Sequence, residues 1–563
     1  MAASPEITSD DLPLQRFCRW ERERADRVYL VQPLGGGAVS EITWGQAGDQ
    51  VRRMAAWMIA QGWPPGSSVA ILGKNSAHWI LADMAIWMAG HVSVPIYPTF
   101  NAQALRYILE HSEAKACFVG KLDDASSLQT GVPAGLPLIA LPLAPAVAGA
   151  LAWTSLIAAN QPLQGTPARG ADELCTLIYT SGTTGNPKGV MHRFGALAWS
   201  LKTAVRRLKM SGEDRFISYL PLAHVAERMV VEQASIFFGS QIFFAESLDT
   251  FVQDLHRARP TVFFSVPRLW VKFQQGVSAK MPPKKLQRLL RIPIIGGLVR
   301  KKVLTALGLD QCHIAAGGAA PMPPDVLRWY RALGLDLIEV YGMTENCGVS
   351  HATEPGTSHP GSVGLPYDGV ESRIDAVTGE IQMRSPGLML GYYRDAAQTA
   401  ESFTADGWLR TGDKGAVDAD GLLRITGRVK DLFKTSKGKY VAPAPIEDLL
   451  VNHPDVEACV VTGANFAQPL ALVMLSADAV ARSGTGEGRQ AQIDSLKLHL
   501  EAVNQQLEAH EKLACLMVMT TPWTPENGLV TPTMKIKRNR IEEAYGGLYE
   551  SSMSQNKPVV WAG

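Results

Sequence analysis

The sequence predicts an α/β fold with a doubly wound body, a small β-rich subdomain and a C-terminal α+β segment. In the first half of the chain, apolar β-rich runs alternate with helical periodicity. Near residue 360 the pattern changes to short strands with glycine turns. At 563 residues the chain also exceeds what one hydrophobic core usually spans. We therefore expect an N-terminal domain over 1–428, including a β-rich subdomain over 360–428, and a C-terminal domain over 429–563.

The predicted elements of the body alternate strand with helix, an order that implies a parallel sheet with helical crossovers. The first five are strand Ser68–Leu72, helix Ile80–Met88, strand Val92–Pro95, helix Ala102–His111 and strand Ala116–Val119. Further strands are predicted at Leu177–Thr180, Phe216–Leu220, Gln241–Phe244 and Thr261–Ser265.

The segment beyond Arg428 mixes strands and helices and has the size of a small domain. Its apolar runs are Ile446–Leu450, Val456–Val461, Leu470–Leu475 and Ile493–Leu507. The domain boundary is expected at Arg428–Asp431.

Charge and cysteine content exclude several classes of protein. The net charge of +1 argues against a nucleic-acid binder that depends on overall charge. Seven scattered cysteines, none in a C-x-x-C spacing, indicate neither a disulfide framework nor a zinc site, and they fit a reducing cytosol. Acidic residues near the N-terminus, where a signal peptide would be basic, indicate no secretory targeting.

Two apolar stretches raise the question of a membrane span. Val132–Trp153 carries four prolines that would break a helix repeatedly, so we expect a strand at Leu138–Leu141 instead. Ile80–Gly90 is too short and contains Asp83, so it is interpreted as a buried helix.

The run TLIYTSGTTGNPKGVMH, residues 176–192, is the most informative motif. Hydroxyl side chains, glycines that let the backbone approach closely and a lysine suit a polyphosphate. The proposed ligands are Thr180, Ser181, Gly182, Thr183, Thr184, Gly185 and Lys188. It is not the ordinary P-loop, because Lys188 follows Pro187 and precedes Gly189 instead of closing a Gly-Lys-Ser/Thr sequence.

A second motif, YGMTENCG, lies at 341–348. The ring of Tyr341 offers a flat surface for adenine beside Gly342, Thr344 a hydroxyl for the α-phosphate, and Glu345 an oxygen ligand for Mg²⁺. Upstream, the small residues of AAGGAAP, including Gly318, permit close approach of an adenine or an acyl group.

A third pair is Asp413, which ends WLRTGD, and Arg428 in ITGRVKD. A carboxylate can accept hydrogen bonds from both ribose hydroxyls, and an arginine can contact ribose or the α-phosphate. Taken alone, Asp413 would be read as a turn residue between two strands.

These motifs, in this order, resemble those of the adenylate-forming superfamily. The resemblance extends from about Ile42 to Tyr545. SYLPLAHVAER, PTVFFSVPRLW and KTSKGKYVAPAPIE are most similar to long-chain fatty acid:CoA ligases. The resemblance implies a large N-terminal domain of packed sheets and a mobile C-terminal domain. It also implies two half-reactions: an acid and MgATP give acyl-AMP and pyrophosphate, and coenzyme A then gives acyl-CoA and AMP.

The resemblance assigns further residues. Lys535 would reach the site during adenylation, although Thr533 and Met534 replace the commoner Ser-Gly before it, and Lys537 is the alternative. Lys430 would be the hinge, and rotation would bring Gly438 beside the pantetheine channel. His224 would lie near the substrate carboxylate or, alternatively, cap the following helix. The stripe at Val230–Phe238 suits an acyl tunnel wall or plain core packing.

Several alternatives remain open. The substrate could be another acid class, such as an aromatic, bile or medium-chain acid, the acceptor could be a carrier protein, or the chain could be a non-catalytic nucleotide-binding scaffold. Residues 280–302 combine eight cations with an apolar centre, which suits an anionic membrane surface, the phosphates of coenzyme A or a charged surface helix. A cytoplasmic location, with peripheral contact at a membrane's inner face, is expected.

Overall fold

The alternation of strands and helices is present in the computed structural model, which describes residues 4–180, 186–320, 322–357, 359–484, 486–525, 527–531 and 535–562. The strands are β1 Val28–Gly35, β2 Ala38–Thr43, β3 Ser68–Leu72, β4 Val92–Ile96, β5 Cys117–Val119, β6 Leu138–Ala140, β7 Leu151–Ala152, β8 Leu174–Thr180, β9 Lys188–Arg193, β10 Arg215–Ser218, β11 Gln241–Phe244, β12 Val262–Ser265, β13 Ile314–Gly318, β14 Leu337–Tyr341, β15 His351–Ala352, β16 Leu365–Pro366, β17 Glu371–Ile374, β18 Glu380–Arg384, β19 Gly391–Tyr392, β20 Leu409–Val417, β21 Leu423–Arg428, β22 Phe433–Lys434, β23 Tyr440–Val441, β24 Val456–Thr462, β25 Leu470–Leu475, β26 Leu516–Met519 and β27 Val559–Ala562.

The α-helices lie between these strands in the order that the sequence predicts. They are α1 Pro13–Glu23, α2 Trp44–Ala60, α3 Ala77–Met88, α4 Ala102–His111, α5 Ser126–Gly131, α6 Trp153–Ala159, α7 Phe194–Val205, α8 Val225–Glu227, α9 Ala234–Phe238, α10 Phe251–Ala258, α11 Pro267–Lys280, α12 Pro283–Leu290, α13 Ile295–Ala306, α14 Pro324–Ala332, α15 Ala396–Ser402, α16 Pro443–Leu450, α17 Ala477–Arg482, α18 Gly486–Asn504, α19 Arg538–Tyr545 and α20 Tyr549–Met553.

Contacts divide the chain into two units. The first comprises residues 1–372 and 383–409, and the second comprises 373–382 and 410–563. Residues 410–428 thus group by their contacts with the C-terminal part of the chain. Contacts do not locate a hinge, so the domain boundary expected at Arg428–Asp431 stays a prediction.

The largest sheet of the first unit has, among the described residues, the strand order β19-β9-β8-β4-β3-β5-β6-β7. Six neighbouring strands of this sheet pair in parallel, as the alternation of strand and helix predicts: β8, β4, β3, β5, β6 and β7. Strand β9 instead forms an antiparallel hairpin with β8, and β19 adds antiparallel to β9. The described parts of the polyphosphate motif therefore lie on two antiparallel strands at this end of the sheet.

Helix α3 confirms the interpretation of the apolar stretch at Ile80–Gly90. Ser76 caps it by accepting a hydrogen bond from the Trp79 backbone. Ala77 and residues 79–88 are buried, including Asp83. Burial on all sides accounts for a helix that is apolar around its whole circumference. No helix within the described ranges is long and apolar enough to cross a bilayer.

Two further sheets complete the first unit in the described part of the chain. One has the order β10-β11-β1-β2, and the other has the order β12-β13-β14-β15-β16 with β12, β13 and β14 parallel. Parallel neighbours end at the same edge of a sheet, so Gly318 and Tyr341, at the carboxyl ends of β13 and β14, lie at one edge. The fold class is confirmed as α/β.

The second unit is mixed α and β, as predicted. Strands β24 to β27 form a sheet in the order β24-β25-β26-β27, packed against α16 and α18 through Ile446, Leu496 and Leu500. Strands β20 and β21 pair antiparallel, as do the short strands β22 and β23.

Candidate active site

The polyphosphate motif is held by the β8–β9 hairpin. Thr180 ends β8, Lys188 begins β9, and the two residues lie opposite each other in the strand register. Ser181, Gly182, Thr183, Thr184 and Gly185 lie outside the described residues. A hairpin differs from the ordinary P-loop, in which a helix follows the glycine-rich segment.

Lys188 and Glu345 come from different motifs and meet at Tyr392, which sequence reasoning had missed. The Lys188 Nζ atom lies 5.4 Å from the centre of the Tyr392 ring and also donates to Gln398 Oε1. The Tyr392 hydroxyl donates to Glu345 Oε1 at 2.8 Å. Burial, together with the Glu345 carboxylate, raises the pKa of Tyr392, so the phenol keeps its proton. The predicted phosphate ligand and the predicted metal ligand therefore lie around one aromatic ring.

Strand β19 explains the position of Tyr392. Its two residues pair with β9, with Tyr392 opposite Val190 and Gly391 opposite Met191. The backbone N–H of Tyr392 donates to Thr399 Oγ1 at 2.9 Å. The ring is therefore fixed to the same sheet edge as Lys188.

The second motif turns sharply after β14. Residues Thr344–Asn346 form a 3-10 turn, followed by Cys347 and Gly348 at φ 54° and 75°. A Cβ atom on Gly342 would lie 2.2 Å from the Gly348 backbone, so any larger residue would force this turn apart. The Asn346 side chain accepts a hydrogen bond from Met343 N at 2.9 Å.

His192 fixes the backbone of Thr344 and was also missed, although it ends the polyphosphate motif. Its Nε2 atom lies 2.7 Å from the Thr344 carbonyl oxygen, which can only accept, so this nitrogen carries the proton. Its Nδ1 atom then accepts from the Cys347 thiol at 3.3 Å. Burial lowers the pKa of His192 to about 4 and keeps the imidazole neutral.

Gly318 and Tyr341 lie on the neighbouring strands β13 and β14. Gly318 pairs with Val340, and a Cβ atom on Gly318 would lie 2.8 Å from Val340 Cγ2. Beside them, burial raises the pKa of Glu339 to about 8. The small-residue segment thus permits close packing of strands, and its contact with adenine stays a prediction.

His224 caps the short helix α8, the alternative that the sequence left open. Its Nδ1 atom accepts from Ala226 N at 3.1 Å. The segment that follows is a π-helix, Arg228–Gln233, which continues into α9. Single π turns inside helices are frequent at functional sites. A role for His224 at the substrate carboxylate stays a prediction.

The π-helix carries a buried charge network. Arg228 donates to Asp83, to Glu232 Oε2 at 3.1 Å and to Thr176 Oγ1 at 2.7 Å. Two carboxyls share one cation, and the pKa of Glu232 is raised, first by burial and next by the nearby Asp83 carboxylate. The network links α3, the π-helix and β8, the strand that leads into the polyphosphate motif.

The remaining predicted residues lie in the second unit. Asp413 on β20 faces Arg428 on β21, with Arg428 Nε 3.3 Å from Asp413 Oδ1. Lys430 is exposed in the turn after β21, and Gly438 occupies the turn of the β22–β23 hairpin at φ 77°. Lys535 is exposed, and its backbone exchanges hydrogen bonds with Thr531.

Comparison with known proteins identifies the family of the chain. Residues 17–393 match the model of the AMP-binding enzyme family, and residues 430–554 match that of the AMP-binding enzyme C-terminal domain. The peroxisomal long chain acyl-CoA synthetase 6 of Arabidopsis thaliana is 31% identical over 565 residues, covering 90% of this chain and 80% of that protein. The long-chain-fatty-acid–CoA ligase FadD15 of Mycobacterium tuberculosis is 31% identical over 580 residues, covering 94% and 96%.

Solved structures share the fold. The anthranilate CoA ligase AuaEII in complex with anthranoyl-AMP superposes with a TM-score of 0.77 at 22% identity, covering 96% of this chain and 99% of that one. The A domain of the carboxylic acid reductase from Segniliparus rugosus, in complex with AMP, gives 0.78 at 23% identity, covering 97% and 94%.

The matches define the class of protein as an adenylate-forming ligase, a class that uses ATP. The chain belongs to the AMP-binding enzyme family.

Proposed function

We propose that this ligase activates long-chain fatty acids, first as acyl-AMP with release of pyrophosphate and then as acyl-CoA with release of AMP. The observation that carries the proposal is the convergence of Lys188 and Glu345 on Tyr392. Adenylation needs cationic charge beside the departing phosphates and an ordered carboxylate for the metal. The relatives that are 31% identical are named for long-chain acids, and these names support the substrate class.

Thr180, Lys188 and the loop between them would hold the β- and γ-phosphates. Thr344, whose backbone His192 fixes, would contact the α-phosphate, and Tyr341 with Gly342 and Gly318 would contact adenine. In the second unit, Asp413 would accept hydrogen bonds from the ribose, with Arg428 beside it.

Glu345 suits a magnesium site that forms only with ATP. Among the described residues, no group of three or more His, Cys, Asp or Glu side chains could hold a metal by itself. Mg²⁺ usually keeps several waters and takes one or two carboxylates plus substrate phosphates. Glu345 is half-buried and oriented by Tyr392, so it supplies one such carboxylate. The metal would neutralise charge on the phosphates.

The acyl chain would extend away from Thr344 through two cavities. The first, of about 10 Å³, has room for about one water molecule and is lined by His192, Leu197, Arg228, Met229 and Cys347, among others. The second is equally small, about 10 Å³, and is lined by Leu197 together with Gln233, Ile236 and Phe237, so both would have to widen to admit an acyl chain. Since Leu197 lines both, a chain that passes from one cavity to the other must move this side chain. Residues from the stripe at Val230–Phe238 line the second cavity, which supports its predicted role as a tunnel wall.

Substrate profiling by pyrophosphate release tests the chain-length proposal. A long apolar tunnel gains about 0.8 kcal/mol per buried methylene, so palmitate should be used more efficiently than octanoate or benzoate. Leu197→Phe should reduce the kcat/KM for palmitate far more than that for octanoate, because the larger ring narrows the passage. Leu81→Phe is the matched control, since Leu81 is a fully buried leucine that lines neither cavity.

A benzoate rate equal to the palmitate rate would instead favour an aromatic acid. An equal loss for palmitate and octanoate in Leu197→Phe would contradict the proposed route. Comparing coenzyme A with an acyl carrier protein as acceptor decides between thioester formation and carrier loading.

The second half-reaction would use residues of the second unit. Lys535 would serve adenylation, Lys430 would be the hinge, and the turn at Gly438 would approach the pantetheine of coenzyme A. A cytoplasmic location and contact of residues 280–302 with a membrane are also proposed. No nucleic-acid partner is expected, given the net charge of +1.

A further inference from the structure

The apolar centre of residues 280–302 is the exposed tip of a helical hairpin. Helices α12 and α13 are anchored to the first unit by Leu286 and Val303, which are 1% and 7% exposed. The apolar side chains at the tip are instead exposed to solvent. Their exposed fractions are 40% for Ile292, 85% for Ile294, 43% for Ile295 and 66% for Leu298. Four large aliphatic side chains exposed together form an apolar patch, whereas isolated ones are ordinary.

The tip has a defined backbone shape. Ile294 adopts φ 66°, a conformation that is a true outlier for a β-branched residue. A Cβ atom on Gly296 would lie 2.6 Å from the Leu290 carbonyl oxygen, so the turn packs tightly against the end of α12. The conformation therefore costs strain, and it holds an isoleucine in solvent where nothing in the first unit covers it among the described residues.

Cations surround this patch. All eight are exposed, and residues 280–302 contain no acidic side chain. None of them forms an ion pair within the part of the chain that the structure describes. They are Lys280, Lys284, Lys285, Arg288, Arg291, Arg300, Lys301 and Lys302. This local excess contrasts with a net charge of +1 for the whole protein, so the hairpin is a concentrated positive surface.

We propose that this hairpin docks on an anionic lipid bilayer, with the four aliphatic side chains inserted at the acyl boundary and the cations among the headgroups. Both features are accounted for by this partner, since binding of interfacial segments grows with buried apolar area and with attraction to anionic lipids. A nucleic acid would satisfy only the charge, and it is usually read by aromatic and hydrogen-bonding side chains instead of aliphatic ones. Docking is a property of the free protein and does not depend on the proposed substrate.

Vesicle co-sedimentation tests the proposal with the full chain and no substrate. The probes are vesicles of phosphatidylcholine alone and vesicles of phosphatidylcholine with phosphatidylglycerol. One variant removes charge, Lys284→Gln/Lys285→Gln/Lys301→Gln/Lys302→Gln, and another removes apolar contact, Ile294→Ser/Leu298→Ser. Matched controls are four exposed lysines elsewhere, Lys115, Lys209, Lys497 and Lys512, each changed to Gln, and the exposed leucine Leu248 changed to Ser.

Wild type should sediment with anionic vesicles and far less with neutral ones. Each cation near the surface contributes about a fivefold gain in partitioning, so the quadruple variant should lose roughly several hundredfold. The apolar variant should also lose partitioning, at low and at high salt alike. The lysine and leucine controls should bind as wild type does, and circular dichroism should show all variants folded.

Equal binding by the hairpin and control quadruple variants would overturn the proposal, since only net charge would then matter. Poly(U), a single-stranded RNA, serves as a polyanion without lipid. The proposal would also be overturned if the apolar variant bound vesicles as wild type does and the charge variant lost vesicle and poly(U) binding in parallel. That result would identify a general polyanion surface.

Discussion

Tyr392→Phe is the sharpest test of the site. The substitution removes one hydroxyl and leaves the ring, so the contact between Lys188 and the ring face at 5.4 Å is retained. What is lost is the 2.8 Å hydrogen bond to Glu345 Oε1. The variant therefore separates the orientation of the predicted metal ligand, Glu345, from the position of the predicted phosphate ligand, Lys188.

The expected size of the effect follows from the kind of bond. Hydrogen bonds to charged groups contribute about 1.5–3 kcal/mol. If the whole amount acts on the transition state, the rate of acyl-AMP formation falls about 10- to 150-fold. Because Glu345 is half-buried and its backbone is held independently by Met389 N at 2.8 Å, we expect the fold to remain intact.

Acyl-AMP formation is measured as pyrophosphate release over a series of Mg²⁺ concentrations, and thioester formation is measured from supplied acyl-AMP with coenzyme A. We expect slower adenylation and a higher Mg²⁺ requirement, with little change in the second step. Tyr393→Phe is the control, since that ring contacts His111 and Arg394. A Tyr392→Phe enzyme with the Mg²⁺ dependence of wild type would refute the reasoning.

Two other variants test independent parts of the chain. Lys535→Ala should impair acyl-AMP formation far more than thioester formation from supplied acyl-AMP, whereas equal loss in both steps, or selective loss in Lys537→Ala instead, would refute the assignment. Burial raises the pKa of Glu339 from 4.5 to about 8, so the folded state holds a proton that the unfolded state releases, and stability falls as pH rises through that range. Through this group, the free energy of unfolding should fall by up to ~5 kcal/mol between pH 4.5 and 8. Glu339→Gln should remove this fall, as measured by denaturant unfolding at a series of pH values, and an unchanged pH dependence would contradict the reasoning.

Local patterns predicted much of the fold. Strand β3 has the predicted bounds Ser68–Leu72, because the whole segment is buried. Helix α4 has the predicted bounds Ala102–His111, because Asn101 caps its start and Leu105, Ile108 and Leu109 form its buried face. The antiparallel turn into β9 was not predicted, since the polyphosphate motif carries no sign of which element follows it. The π-helix was likewise missed, because one inserted residue barely changes an apolar stripe.

The missed site residues share one cause. His192 reaches Thr344 across 152 positions, and Tyr392 reaches Glu345 across 47. No local pattern connects residues so far apart, although His192 is the last residue of the polyphosphate motif. By sequence alone, Tyr392 after Gly391 is an ordinary residue of a β-strand, because tyrosine is common in strands.

The sheet edge explains why these residues, and not others, surround the predicted phosphates. Thr180, Lys188 and Tyr392 lie on β8, β9 and β19, three adjacent strands whose register fixes their spacing. Glu345 reaches the same place after β14, and its hydrogen bond with Tyr392 joins the two sheets. Asp413, the proposed ribose ligand, and Lys535, the proposed adenylation lysine, belong instead to the second unit. The predicted phosphate ligands Thr180 and Lys188 are thus positioned by strand register, whereas Asp413 and Lys535 depend on the second unit. Tyr392→Phe and Lys535→Ala should both slow acyl-AMP formation, and Tyr392→Phe alone should also raise the Mg²⁺ requirement.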